Sequence, residues 1–249
     1  MREAAAKSTA RELLVARQAM RVASSQVKRH DGRVMFFAKR TMQVLLGVTI
    51  IAAAGAIFWI QRSSVFPELD TSSQDHWHAY GGDWHLIDGV LTDRIDGRGD
   101  KIIAGPKNYG NYVVSSEMRF DAVPGDPQFG DAGLLLRVQD PTIGVDAHRG
   151  YYAGLRLDDH TLLIGDESFA FREVATARFP HEIHTGRWYR LTFAVKGCTF
   201  HASVEDVETS DRTDLSYVEQ SCAPLQGQIG LRSYYAKASW RRLKVKLIQ

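Results

Sequence analysis

The chain holds only two cysteines in 249 residues, and they are not spaced as CxxC, so dithiol redox chemistry has no residues to carry it. It has no glycine-rich phosphate-cradling loop and no G-x-S-x-G elbow, which excludes nucleotide binding and serine-esterase chemistry in the same way. No ExDxE or ExDxxE run occurs either. Alternate strand positions project to one face about 6.6 Å apart, and such a run is a common way for one strand to present hydrolytic carboxylates. A carboxylate pair assembled from separate strands stays open.

Long apolar runs are scarce too, and the single one present locates the protein. Val44 to Ile60 is seventeen residues of Val, Leu, Ile, Ala, Gly, Phe and Trp, interrupted by Thr49 alone and carrying no charge. As a helix it is about 26 Å long at 1.5 Å per residue, near the roughly 30 Å hydrocarbon core, with Trp59 where interfacial aromatics collect. Five basic residues precede it within twenty positions (Lys28, Arg29, Arg33, Lys39, Arg40) and one follows, Arg62. Lys and Arg are held on the cytoplasmic side. The expected order is therefore a basic cytoplasmic tail (1–43), a single transmembrane helix (44–60), a linker (61–75) and an extracytoplasmic domain (76–249), periplasmic or at the cell surface. A cleaved signal peptide is the competing reading, but Ile57-Phe58-Trp59-Ile60-Gln61-Arg62 lacks the small-x-small cleavage pattern. Met20 and Met35 are alternative starts, and the Ala-rich stretch from Arg2 to Lys28 suits contact with anionic headgroups.

Charge divides at the same place. Residues 1–62 carry eleven Lys or Arg against three Asp or Glu, whereas the remaining 187 residues carry twenty against twenty-six. An acidic outer domain argues against nucleic-acid binding, which needs a basic face for phosphates. Cys198 and Cys222 both lie in the outer domain, where an oxidising environment favours their pairing as a disulfide.

From Trp77 onward no window sustains a helical period; short alternating runs recur between Gly, Asp and Pro punctuation. Strands are expected at Tyr112–Phe120, Ala132–Val138, Tyr151–Leu157, Thr161–Ile164, Trp188–Val195, Thr199–Val204, Gln228–Ser233 and Ala238–Leu247, with turns at 123–127, 158–160 and 196–197. Alternation puts Leu134, Leu136 and Val138 on one face and Leu135 with Arg137 on the other. Strands with one apolar and one polar face pack as an antiparallel two-sheet sandwich, and about ten strands suit a jelly roll better than a seven-stranded immunoglobulin domain.

The segments GDWHLIDGVL (82–91), DAGLLLR (131–137), GYY (150–152), GRWYRL (186–191), GQIGL (227–231) and WRRLKV (240–245) together resemble the concanavalin A-like lectin/glucanase superfamily. Within it they look most like the 3-keto-disaccharide hydrolase domains and related laminin-G-like modules. The resemblance implies an all-β, concanavalin-like sandwich with a concave sheet under a bound ligand, and it sets Arg137 and Tyr152 on motif positions. Glu117 and Arg119, then Arg137, then Tyr152 and Arg156 are expected on outward positions of three consecutive strands. An aromatic face flanked by Arg and Glu suits a sugar, whose C–H groups stack on the ring while its hydroxyls bond the charged groups. The plainer alternative is a cross-strand ladder of ion pairs on a solvated face.

Three functions follow as expectations. The first is a membrane-anchored extracytoplasmic domain that binds a saccharide or glycan without catalysis. The second is a glycoside hydrolase of the 3-keto-disaccharide type with Glu117 as acid or base, although the family more often has Glu where Ala153 stands. The third is a protein-interaction module of an envelope complex. His76, His78 and His85 beside Asp75 and Asp83 include a zinc-like H-x-H spacing without a clear third ligand. Asp121, Asp126 and Asp131 border a loop whose oxygens would suit calcium. The expectation for these clusters is exposed histidines and an acidic turn, with no resident cofactor. Arg98-Gly99-Asp100 matches an adhesion tripeptide at a length that chance supplies, and Trp84, Trp188 and Trp240 read as core or framework residues.

Overall fold

The computed structural model describes residues 76–122 and 130–248, which form fourteen strands. The expectations for residues 1–75, the Val44–Ile60 span among them, lie outside the described residues, as do the turn at 123–127 and Asp126. In chain order the strands are β1 (Trp77–Tyr80), β2 (Trp84–Ile87), β3 (Val90–Asp93), β4 (Asp100–Tyr109), β5 (Tyr112–Ala122), β6 (Asp131–Gln139), β7 (Arg149–Arg156), β8 (Thr161–Ser168), β9 (Phe171–Arg178), β10 (Tyr189–Lys196), β11 (Thr199–Asp206), β12 (Arg212–Val218), β13 (Gly227–Tyr234) and β14 (Lys237–Leu247).

They pair antiparallel into two seven-stranded sheets, β1-β4-β13-β6-β7-β8-β9 and β12-β11-β10-β5-β14-β3-β2. The two-sheet sandwich read from the alternating pattern is therefore present. One apolar residue in two is what each sheet needs to cover its partner. Tyr112, Val114, Met118 and Phe120 of β5 and Leu191 and Phe193 of β10 meet Leu134 and Leu136 of β6 and Tyr151 and Leu155 of β7 in one buried core. Trp84 and Trp240 join it with ring centroids 5.4 Å apart. Beyond Tyr112 the strands without a clear sequence signal, β9 and β12, each lie at an edge of a sheet, where most side chains face water and apolar alternation is weak.

The alternation fails at two arginines, for one reason. Arg137 has φ +54° and Arg242 φ +55°, and at each the ladder register shifts. A bulge adds one residue, so every side chain beyond it changes face. Val138 consequently joins an outward apolar cluster with Ile103, Leu135, Tyr152 and Leu163 rather than the core with Leu134 and Leu136.

Cys198 and Cys222 form a disulfide, Cα atoms 5.4 Å apart, which ties the β10–β11 turn to the segment leading into β13. Closing a loop of this length restricts the unfolded chain by roughly 3 kcal/mol.

Candidate functional site

The five residues expected on one face occupy three different places. Glu117 and Arg119 belong to β5, in the second sheet, whereas β6 and β7 belong to the first, so the three strands are consecutive in sequence but not in space. Arg137 is turned inward by its bulge and is 1% exposed. Its amide donates to the Tyr112 hydroxyl at 2.6 Å, and its guanidinium donates to the Gly110 carbonyl from Nε at 3.0 Å and Nη2 at 2.8 Å. It closes one end of the sandwich. Tyr152 and Arg156 do share a face, the outer side of the first sheet.

Glu117 sits in the alternative that the sequence allowed, an ion-pair ladder. Register across the second sheet runs Arg212, Glu205, Arg190, Glu117, Arg241. The Glu117 carboxylate accepts from Arg241 at 2.9 Å, Arg242 at 3.1 Å and Arg190 at 3.2 Å. Burial alone would raise its pKa, but the three guanidiniums outweigh it and hold the carboxyl below the usual range. Trp188, expected as framework, lies half-buried beside this ladder, 4.0 Å from the Arg241 guanidinium and 4.7 Å from that of Arg119.

The outer face of the first sheet is of another kind. Register sets Tyr80, Lys101, Arg232, Gly133, Gly154 and Leu163 in one row across six strands. A Cβ on Gly154 would stand 2.1 Å from the Tyr152 hydroxyl oxygen, so the missing side chain lets the Tyr152 ring pass directly over the sheet. The ring ends with its hydroxyl donating to Asp131 at 2.7 Å. Arg232, 4% exposed, lies 4.7 Å from the Tyr152 ring centroid, 5.5 Å from Tyr234 and 5.8 Å from Phe171. Its guanidinium reaches Asp131 at 3.1 Å, Asp146 at 3.0 Å and Glu167 at 3.6 Å. Glu167 also pairs with His148, both fully buried, and Lys101 donates to the Gly144 carbonyl at 2.6 Å.

These charges shift one another in directions that burial alone would not give. Burial would raise the Glu167 carboxyl, yet Arg232, His148 and Lys101 together hold it below its ordinary value. Burial would lower the Arg232 guanidinium, yet Glu167, Asp131, Tyr152 and Asp146 drive it far upward, so it is permanently charged. Lys101 is lowered by burial, and Asp131 is raised by burial against the pull of Arg232 and Tyr152. Around this braced centre stand groups that solvent reaches. Phe171 is 37% exposed, Tyr80 and Tyr234 are half-buried, and Arg156 lies within ion-pair reach of Asp158, Asp159 and Glu173. Buried, mutually perturbed titratable groups beneath an aromatic rim mark this face as the candidate site.

Sequence reading found Tyr152 and Arg156 here and passed over the rest. Arg232 directly follows the GQIGL segment and His148 stands two residues before GYY, so both lie beside segments that read only as framework. Asp131, weighed for calcium, binds Arg232 and Tyr152, whereas Asp121 binds Arg119 on the other sheet. His85 bonds Asp83 at 2.8 Å, and His76 and His78 are exposed. Among the described residues no group of three His, Cys, Asp or Glu side chains is placed to hold a metal ion.

The sequence model of the 3-keto-alpha-glucoside-1,2-lyase-like domain matches residues 64–246. The chain belongs to that family. No curated protein matches the chain in sequence. Among solved structures it is similar to the carbohydrate-binding module CBM66 from Bacillus subtilis, at 19% identity and TM-score 0.56 over 69% of this chain and 95% of that one. It is also similar to a protein with galectin-like fold from Bacillus subtilis, at 13% identity and TM-score 0.58 over 76% and 99%. A third likeness is to winged bean acidic lectin complexed with methyl-alpha-D-galactose, at 8% identity and TM-score 0.55 over 73% and 96%. At these identities the likeness establishes a lectin-like sandwich fold.

Proposed function

We propose that this family member binds a saccharide on the outer face of its first sheet and that a transmembrane helix at Val44–Ile60 displays it outside the cytoplasm. The observation that carries the binding reading is the Arg232 centre. Three carboxylates and three aromatic rings fix one guanidinium directly beneath a partly exposed aromatic rim. Phe171, Tyr80 and Tyr234 supply ring faces for sugar C–H groups, and Asp131, Arg156 and Glu173 supply charged partners for hydroxyls. Tyr152, Lys101, Glu167 and His148 position the rim from below. The methyl-alpha-D-galactose bound by the winged bean lectin and the description of CBM66 as a carbohydrate-binding module support the ligand class. The extracytoplasmic placement draws support from the flanking charges and the Cys198–Cys222 bridge.

A second reading follows from the family itself, whose description is a 1,2-elimination on a 3-keto-glucoside. Such a reaction removes the C2 proton acidified by the neighbouring ketone, forms the C1–C2 double bond, breaks the C1–O bond and returns a proton to the departing oxygen. Asp131, its carboxyl raised by burial, and the Tyr152 hydroxyl 2.7 Å away are the proton carriers this face offers. Glu117 stands on the opposite sheet and is held ionised by three arginines, which suits neither role.

The two readings separate in one pair of assays on the full-length protein. Binding on an array of neutral glycans that falls in Phe171→Ala, with no turnover of 3-keto-glucosides, supports binding alone. Release of aglycone from a 3-keto-glucoside that is lost in Asp131→Asn supports the elimination. Silence in both assays contradicts both and returns the domain to the protein-interaction class.

A further inference from the structure

Two rows of outward residues cross the first sheet side by side, and only one of them is open to water. Lys101, Arg232, Gly133, Gly154 and Leu163 form the first, which is buried from β4 to β8. Two residues further along each strand, register sets Tyr234, Asp131, Arg156, Thr161 and Arg178 in a second row across β13, β6, β7, β8 and β9. Each of these is half-buried or exposed. Four strand spacings separate the ends of the row, roughly 19 Å. The Tyr152 hydroxyl reaches Asp131 in the middle of it, so the row passes beside the Arg232 centre.

Both ends of the row are built. At one end Tyr235 follows Tyr234, edge-on to it with ring centroids 4.5 Å apart, and is 40% exposed. Its φ is +50°, a left-handed backbone that hairpin turns give to glycine or asparagine and that strains a bulky residue. The Tyr235 amide donates to the Gly97 carbonyl at 2.9 Å, and the strained turn holds an aromatic ring out in water. At the other end Arg178 lines a cleft of about 480 Å³ with His160, Pro180, His181, Glu182 and His184. That volume is in the range of small-molecule sites.

The cleft is held in shape from below. The Phe179 amide donates to the His160 carbonyl at 2.7 Å and the Ile183 amide to His160 Nδ1 at 3.1 Å, while both side chains are buried in the core. A ring nitrogen that accepts carries no proton, so the neutral His160 ring keeps its proton on Nε2 as a donor. Arg178 and His160 therefore donate and Glu182 accepts. Along the row Asp131, Arg156 and Thr161 repeat that mixture of acceptor, donor and hydroxyl. Sugar hydroxyls donate and accept at once, so groups of both kinds suit a neutral sugar better than an anion.

We propose that the saccharide face holds a linear neutral oligosaccharide lying across the strands along the Tyr234–Arg178 row, from the Tyr235 ring to the His160–Arg178 cleft, where a terminal sugar residue seats. This rests on the saccharide reading of the face and adds to it a direction, a length and a second subsite at the end of β9.

The test is calorimetric titration of the full-length protein with homologous ladders of glucose, galactose and mannose oligosaccharides, from monosaccharide to hexasaccharide. Affinity on the ladder that binds should rise beyond the disaccharide and then level. Arg178→Ala, at an exposed position of an edge strand, should weaken the hexasaccharide about tenfold, the effect of one charge-assisted hydrogen bond, and the monosaccharide far less, with the melting temperature retained. Tyr235→Gly, which the left-handed turn accepts, should make the ladder level at a shorter chain. Phe171→Ala should weaken every length. Equal affinity for monosaccharide and hexasaccharide, or an Arg178→Ala loss that is absent or the same at every length, would overturn the row and leave the saccharide face standing. No binding by any ladder would overturn the saccharide face and the row with it.

Discussion

The two outer faces of the sandwich both carry arginines among carboxylates, and they differ in what surrounds them. On the first sheet Arg232 is 4% exposed, with Glu167 and His148 fully buried beside it and Lys101 at 1%. On the second sheet only the carboxylate at the centre of the ladder, Glu117, is buried, and its arginines reach water, with the Arg190 side chain 43% exposed and that of Arg242 65%. Surface pairs contribute about 0–1 kcal/mol each because water and salt screen them, whereas breaking a buried pair strands a charge and costs about 3–5 kcal/mol. A fold has little stability to gain from burying such a network in place of apolar residues. Its extent on the first sheet is the observation on which the proposed site rests.

Substituting the same residue type on each face breaks the comparison most sharply. Arg232→Met leaves Asp131, Asp146 and Glu167 facing one another without their shared cation, and should lower stability by about 3–5 kcal/mol in denaturant unfolding. Glu167→Gln removes one buried carboxylate from Arg232, His148 and Lys101 while keeping its shape, and should cost about 1–3 kcal/mol. On the second sheet Arg190→Ala leaves Glu117 with Arg241 and Arg242, and the loss should stay below about 1 kcal/mol. Comparable losses at Arg232 and Arg190 would show that burial does not distinguish the faces.

Acid and base titration sharpens the same contrast within the first sheet. Glu167 has a depressed carboxyl, so its contribution to stability is full above the ordinary carboxylate range and is lost as pH falls through its folded value. Asp100, at the start of β4, is raised to about 6 by burial and by Asp93. Its sign is opposite: its contribution is full below its ordinary value and is lost as pH rises through about 6. The stability of Asp100→Asn relative to wild type should therefore improve from pH 4 to pH 7.5, by on the order of 3 kcal/mol at most. An unchanged difference across that range would show that the Asp100 carboxyl is not raised. The smallest expected effect is Glu205→Ala in the exposed ladder, within about 0.5 kcal/mol at any pH near neutrality.

The architecture was legible in the sequence because each central strand repeats its apolar residues with period two, as Tyr189, Leu191, Phe193 and Val195 do. The site was legible only in part. Alternation tells which residues of one strand share a face, and it placed Tyr152 with Arg156 correctly. It does not tell which sheet a strand joins, so Glu117 was grouped with residues from which the whole core separates it. Nor does it foresee a bulge, and the one at Arg137 turned a nominated ligand residue into a buried clamp on the Gly110 carbonyl. Arg232 and Lys101 carried no pattern of their own. They are paired across β13 and β4, and only the register brings them together.

The central claim is that the first sheet, and not the second, presents the saccharide site. Calorimetric titration of the strongest-binding neutral glycan into wild type, Phe171→Ala and Lys244→Ala tests it most directly. The account predicts micromolar or weaker affinity in wild type, retained in Lys244→Ala and lost in Phe171→Ala with its fold intact by circular dichroism. Full affinity in Phe171→Ala, or a loss confined to Lys244→Ala, would contradict it.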